Sequence, residues 1–243
     1  ILNGICRFKI MEEINVSDLL LLTKWDTPTI CNALEVVAPE RRSFGFTSDQ
    51  FVPLDSSLPP MCGYAKTATI RAARPSDRSV PQNLETRLGY YEYIYRGQQP
   101  KIALIQDLDT KPGLGAFWGE VNTNIHKGLG CLGAVTNGSI RDLGDSAKNF
   151  NLLGGKIGPS HAFVHIVDFG RQIEVHGMTI SNDDILHADL HGAVIIPPDA
   201  VKELPAAIAK IEQRERRIIS ASKKEDFTFE KLRAAIAGKL EVH

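Results

Sequence analysis

Hydrophobic and polar positions follow several patterns along the chain. Near the start, "SDLLLLTKW" and "DTPTICNALEVV" are apolar runs led by capping residues. Ser17 before the first run predicts one short helix. Thr27, with Pro28 at the first helical position, predicts another. "PERRSFGFTSDQFVPLDSSLPP" is rich in Pro, Ser and Gly and reads as loop. "GYAKTATIRAA" alternates and carries β-branched residues, as a strand does. "PQNLETRLGYYEYIYRG" predicts a helix that stops near Gly97. "KIALIQDL" and "CLGAVTNG" are continuous apolar runs of the buried-strand kind, and "GEVNTNIHKGLG" between them predicts a helix that begins near Gly119. "SAKNFNLLGGK" reads as a short helix. Beyond residue 160 the pattern changes. "HAFVHIVDFG", "RQIEVHGMTI" and "ILHADLHGAVIIPP" alternate as strands, separated by polar turns. Residues 199–222, with Lys, Glu and Arg interleaved, and "TFEKLRAAIAGKL" predict closing helices. The order predicts a mixed α/β domain with a helical C-terminal extension.

Composition narrows the function classes. The chain has 243 residues, 43% of them hydrophobic, enough to bury a sizeable core. Twenty-eight basic residues against 29 acidic ones leave a net charge of −1, which argues against a nucleic-acid partner. No apolar run reaches the length of a membrane span. Cys6, Cys31, Cys62 and Cys131 form no CxxC pair, so they are expected to be reduced thiols in a cytoplasmic protein. The first ten residues lack the pattern of a signal peptide, and Met11 reads as the natural start.

Several motifs compete for attention. "GLGCLG", Gly128 to Gly133, is a literal G-x-G-x-x-G. A dinucleotide turn needs a strand before it and a helix after it, and here the order is reversed. It reads instead as a helix end followed by a closely packed strand. Asn137–Gly138 is a hairpin dipeptide, but "SIRDLGDSAKNF" does not alternate, so it reads as a strand end and a turn. His161 and His165, like His187 and His191, are four apart in strand-like segments. That places each pair roughly 13 Å apart, too far to share one metal. These histidines read as structural or surface residues.

"TNGSIRDLG" follows the apolar "GCLGAV" and sets Arg141 beside Asp142, just past a strand end. Taken alone, the two make an ordinary solvated ion pair. Upstream, "FWGEV" sets Glu120 at a helix start, with exposed amides at Gly119, Val121 and Asn122. Two carboxylates with water suit a hard divalent cation. Arg141 adds a planar donor fork, and helix-start amides receive carboxylates. Such a set suits a small anionic 2-oxo acid and its enolate.

"FWGEV…GCLGAVTNGSIRDL" resembles the signature of the family that joins 4-hydroxy-4-methyl-2-oxoglutarate aldolases with regulator-of-ribonuclease-activity-A-like proteins. Members often carry a dimethylmenaquinone methyltransferase label, which no residue here supports. The aldolases share an acid, twenty residues, then Arg-Asp; here these are Glu120, Arg141 and Asp142. "TPTICNAL" and "ILHADLHGAVIIP" resemble the family's first helix and closing strands. The likeness spans roughly residues 24–200. It implies an α/β/β/α sandwich of the swivelling β/β/α type over 11–200, with a helical extension over 201–243, assembled as a homotrimer or homohexamer. It also implies a Mg²⁺- or Mn²⁺-dependent class II aldolase that releases pyruvate from 4-hydroxy-2-oxo acids and decarboxylates oxaloacetate. By position, Asp142 binds the metal directly and Glu120 binds it through water. Arg141 contacts the keto oxygen, and Gly119, Glu120, Val121 and Asn122 meet the substrate carboxylate. Glu120 stands where aspartate is familiar in the aldolases. A carboxylate from a neighbouring subunit's C-terminal region completes the family's site, with Glu203, Glu212 and Glu215 all candidates. The other activity the resemblance allows is an oligomeric, non-catalytic regulator that binds a ribonuclease.

Overall fold

The computed structural model describes residues 13–238. Cys6, the start at Met11 and the end of the last predicted helix fall outside that range. In chain order the helices are α1 (Val16–Leu22), α2 (Thr27–Val37), α3 (Val80–Arg96), α4 (Glu120–Gly128), α5 (Leu204–Ser222) and α6 (Phe229–Ile236). The strands are β1 (Val52–Pro53), β2 (Met61–Arg71), β3 (Lys101–Asp107), β4 (Ala116–Trp118), β5 (Cys131–Thr136), β6 (Ser139–Ile140), β7 (Asn151–Gly154), β8 (Lys156–Ile157), β9 (His165–Phe169), β10 (Ile173–Val175), β11 (Met178–Ile180), β12 (Ile185–Asp189) and β13 (Gly192–Ile196).

The main sheet runs β1-β7-β5-β3-β2-β12-β13, with β9 also on β2. Strands β2, β3, β5 and β7 are parallel, and their crossovers carry α3 and α4. The period of two along each strand sorts its side chains between faces. Met61 and Ala65 of β2, Ile102 and Leu104 of β3, and Leu186 and Ala188 of β12 face an inner core closed by the β10–β11 hairpin. The alternate residues face outward. Cys62, Ile185 and Ile196 pack under α1, α2 and α5. Ala68, Ile70, Ala103 and Ile105 pack in a third core with α3, Trp118 and Phe150. Helices therefore lie outside a curled sheet at both ends, which is the mixed α/β architecture expected. The first half of α5 belongs to the core, since Leu204, Ala207 and Ile208 are buried with α2.

Local chemistry shifts some boundaries. Asn15, not Ser17, caps α1 in a reciprocal box with Asp18. Asp26, not Thr27, caps α2, which puts Pro28 at the second position. Pro39–Ser43 in the predicted loop winds into a 3₁₀ turn. "SAKNFNLLGGK" holds no helix: Asn149 takes a left-handed φ of 57° in a turn, and β7 begins two residues later at Asn151. Leu152 and Leu153 are both fully buried, one on each face of the sheet, as a central strand requires. "RQIEVHGMTI" is a hairpin that turns at His176 and Gly177, with φ 49° and 80°. Positive φ at both positions is the primed turn that suits the strand twist. "ILHADLHGAVII" is likewise the β12–β13 hairpin.

"GLGCLG" packs as expected. Gly130 has φ 90° past the end of α4, and a Cβ on Gly133 would overlap the Asn151 carbonyl of neighbouring β7. Asn137–Gly138 makes no hairpin. The Asn137 amide brackets Asp107, accepting from its N–H at 2.7 Å and donating to its carbonyl at 3.2 Å. The chain then enters a separate parallel sheet, β4-β6-β8.

Candidate functional site

Arg141 follows β6 of this small sheet, not β5 of the main one. Its N–H donates to the Trp118 carbonyl at 2.9 Å, extending the β4–β6 pairing. The next residue beyond Trp118 is Gly119, which caps α4 without a side chain. Parallel pairing thus sets the end of β6 beside the start of α4 and joins Glu120, Arg141 and Asp142 in one place.

Asp142 supplies the cap that Gly119 lacks. Its Oδ2 accepts the Glu120 N–H at 3.2 Å, and Arg141 Nε lies 3.6 Å from the same oxygen. The two side chains are about a third exposed, 35% for Arg141 and 33% for Asp142. They do pair, through one oxygen of the carboxylate. Oδ1 of Asp142 and the terminal nitrogens of Arg141 have no hydrogen-bond partner among the described residues. The amides of Val121 and Asn122 belong to the first helical turn, which has no partner inside the helix. Gly119 is buried, and the Glu120 amide is already engaged.

The backbone is strained here. Asp142 sits at φ 54°, a left-handed conformation that is uncommon outside glycine. Its carbonyl accepts from Asp145 N–H at 3.1 Å, Ser146 N–H at 2.9 Å and Ser146 Oγ at 2.9 Å. Thr123 of α4 ties down the far end of that turn, accepting from Ala147 N–H at 2.9 Å. A Cβ on Gly119 would overlap Asp142 Oδ2, so a side chain there would push the carboxylate away from the start of α4. Residue spacing points to Glu120, Arg141 and Asp142 but carries no sign of this demand on Gly119.

The side chain of Asn122 faces away from the site. It donates to Phe117 O at 2.6 Å and accepts from Tyr91 OH at 2.8 Å. Behind it lies buried His126. Its Nδ1 meets the Asn122 carbonyl at 2.7 Å, so Nδ1 carries the proton and Nε2 accepts from Tyr90 OH at 2.7 Å. Burial pushes the His126 pKa down to about 4, so it is a neutral prop for α4. His187 is also buried, between Thr27 Oγ1 at 3.0 Å and the Leu22 carbonyl at 3.2 Å. His161 is exposed and His165 half-buried, each with Nδ1 on a nearby carbonyl. Among the described residues, no group of three or more His, Cys, Asp or Glu is arranged to hold a metal. Trp25 Nε1 donates to Glu212 at 3.2 Å, which ties that C-terminal acid to the turn just before α2 of its own chain.

A curled α/β sheet with an acid and an Arg-Asp pair joined at a helix start defines the class. The chain belongs to the RraA-like family, described as Aldolase/RraA, whose model matches residues 27–195. Among solved structures, a protein from Pseudomonas syringae pv. tomato superposes with a TM-score of 0.69 at 21% identity, over 92% of this chain and 95% of that one. Streptomyces coelicolor RraAS2, described as an unusual member of the RNase ES inhibitor RraA family, gives 0.66 at 19% identity over 84% and 96%. A protein described among novel cellulases from gut-associated microbes gives 0.70 at 18% identity over 85% and 89%. At these identities the likeness is one of fold. No curated protein matches the chain. No helix among the described residues is long and apolar enough to cross a membrane.

Proposed function

We propose that this protein is a divalent-metal-dependent carbon–carbon lyase acting on small 2-oxo acids, with 4-hydroxy-2-oxo acid cleavage to pyruvate and oxaloacetate decarboxylation as its reactions. The observation that carries the reading is Asp142. Its carboxylate, carried on a left-handed backbone, is held by one oxygen against the start of α4 and Arg141, and its other oxygen has no partner among the described residues. Mg²⁺ or Mn²⁺ fits this donor set, because hard cations accept one or two carboxylates and complete their shell with water. When bound, the ion would supply Lewis-acid stabilisation of negative charge on the substrate's keto oxygen.

The protein's own groups do the rest. Asp142 would hold the ion directly and Glu120 would hold it through water. The Val121 and Asn122 amides would orient the substrate carboxylate. Breaking the carbon–carbon bond would leave its electron pair in a pyruvate enolate; the other fragment would depart as CO2 from oxaloacetate, or as a second oxo acid once the 4-hydroxyl proton passes to water held by Glu120. Arg141 would face the enolate oxygen with its free terminal nitrogens. Water on Glu120 would return a proton to the methylene carbon. The steps after cleavage serve both reactions, since both pass through one enolate. A homotrimer or homohexamer would present a neighbour's carboxylate to this half-open site.

Purified protein with Mg²⁺ or Mn²⁺ should release pyruvate from oxaloacetate or a 4-hydroxy-2-oxo acid. Arg141→Ala should stop turnover while circular dichroism stays unchanged. No pyruvate with either metal across a panel of such acids sinks the reading. A ribonuclease retained in a pull-down by an inactive wild-type protein would favour a regulator instead.

A further inference from the structure

The family's name and the proposed lyase site leave one charged feature unexplained. A cleft of ≈ 930 Å³ opens beyond the carboxyl ends of parallel β2 and β3, lined in part by Arg71, Arg74, Lys111, Lys156 and His165. Glu120, Arg141 and Asp142 do not line it. Ligands of open α/β sheets gather at such strand ends.

Arg71, Arg74, Lys111 and Lys156 form no ion pair and no side-chain hydrogen bond among the described residues. Many other cations of this chain do: Arg42 with Glu35, Lys66 with Asp183, Arg96 with Glu92, and Arg78 with the Ile166 and Val167 carbonyls. The cleft's carboxylates are Asp77 and Asp109, with Asp107 buried close to Lys156. Positive charge therefore dominates the cleft in a chain of net charge −1.

The walls are fixed before any ligand arrives. Asp109 accepts the Ala72 and Ala73 N–H groups at 2.8 and 2.7 Å, clamping the residues that flank Arg71 and Arg74. Asp107 accepts the Asp109 and Gly113 N–H groups at 3.0 and 2.6 Å, shaping the loop that carries Lys111. Gly113, at φ 82°, lets the Lys156 stem lie against that loop, since a Cβ there would overlap it. Asp107 and Asp109 are thus engaged as scaffold, and the four cations outnumber the remaining acid, Asp77, along the opening.

We propose that this cleft binds a small multivalent oxyanion, through the guanidinium forks of Arg71 and Arg74 with the ammonium groups of Lys111 and Lys156. Two forks beside two point charges match an anion with more than one charged group, and pre-set walls lower the ordering cost of binding. The site stands independently of the lyase reading.

Calorimetry on the full chain in metal-free, low-salt buffer tests it, with pyrophosphate and citrate as separate probes and acetate as the monovalent control. Pyrophosphate, citrate or both should bind at one per chain, at least tenfold tighter than acetate. The probe that binds identifies phosphate or carboxylate as the preferred group. The exposed pair Arg71→Ala/Arg74→Ala, and separately Lys156→Glu, should each weaken binding tenfold or more. Arg141→Ala should bind as wild type does, even where it has lost lyase turnover. Equal binding of acetate, no binding of either multivalent probe, or loss on Arg141→Ala with the cleft variants unchanged would overturn the proposal.

Discussion

Asp142 and Asp189 serve two helix starts in the same way, yet their surroundings differ in every other respect. Each accepts an N–H from a helix far away in sequence: Glu120 of α4 at 3.2 Å for Asp142, and Thr27 of α2 at 2.9 Å for Asp189. The Asp189 side chain is 5% exposed. Its second oxygen accepts His191 N–H at 2.8 Å and meets His191 Nδ1 at 3.1 Å, so both oxygens are satisfied. The Asp142 side chain is 33% exposed, its backbone is left-handed, and one oxygen has no partner among the described residues. A carboxylate used only as a cap needs no free oxygen and no strain. The residual valence at Asp142 is what sets it apart as a site for chemistry.

Replacing each acid by its amide tests that contrast. Asp142→Asn keeps an oxygen for the Glu120 N–H but removes the charge that would hold a cation. Its pyruvate release should fall on the order of 10³-fold, about 4 kcal/mol at the transition state. Wild-type turnover in Asp142→Asn would put the chemistry elsewhere.

Acid should strike the saturated regions next. Burial lowers the pKa of both His187, beside Thr27 near Asp189, and His126, behind α4. The ordinary value is 6.5, and His126 is lowered to about 4. Below 6.5 the unfolded chain takes up protons that the folded chain refuses. Stability from this source is therefore complete above about 6.5 and is lost as pH falls towards 4, where it levels off. His126 alone accounts for about 3 kcal/mol of that loss. Urea midpoints measured from pH 7 to 4 should fall through this window, and less so in His126→Gln. An equal fall in the variant would remove His126 as the cause.

Asp189→Asn comes next, at about 2 kcal/mol of stability. Its amide group must turn a donor towards either Thr27 N–H or His191 N–H, leaving a buried donor unmet. Thermal melts should show the loss, with activity per folded molecule little changed. A variant that melts with wild type would mean that Asp189 is not the saturated cap described.

Which parts of this were legible depends on how local their causes are. β3 and β5 announce themselves as apolar runs, and α3 as a helical stretch that stops near Gly97. β7 does not, because "NFNLLGG" becomes a strand only through pairing with β5 and β1. The β4-β6-β8 sheet has strands of two or three residues, too short for any periodicity, yet it places Arg141 beside α4. The spacing of Glu120 and Arg141 could therefore be read from the chain, while its cause could not. Asp189 reads only as part of an alternating strand, since its partner Thr27 lies 162 residues away. The basic cleft draws on loops after β2 and β3 and on the start of β8, so no single stretch of sequence looks basic enough to reveal it.

The smallest effect discriminates best. Asp142→Asn should change stability by no more than about 0.5 kcal/mol, as expected of a half-exposed polar exchange. Asparagine tolerates the left-handed backbone at φ 54° as aspartate does. Its oxygen can face Glu120 N–H, and its amide can occupy the open side where Oδ1 now has no partner. Arg141 loses only a half-exposed pairing at 3.6 Å, worth little in water. The same exchange should then be costly to the fold at Asp189 and nearly silent at Asp142, with the order reversed for turnover. Denaturant melts of the two variants, read beside their pyruvate release, measure that crossing directly. If Asp142→Asn also loses about 2 kcal/mol, Asp142 is a second structural cap, and its free oxygen no longer marks a site for a cation.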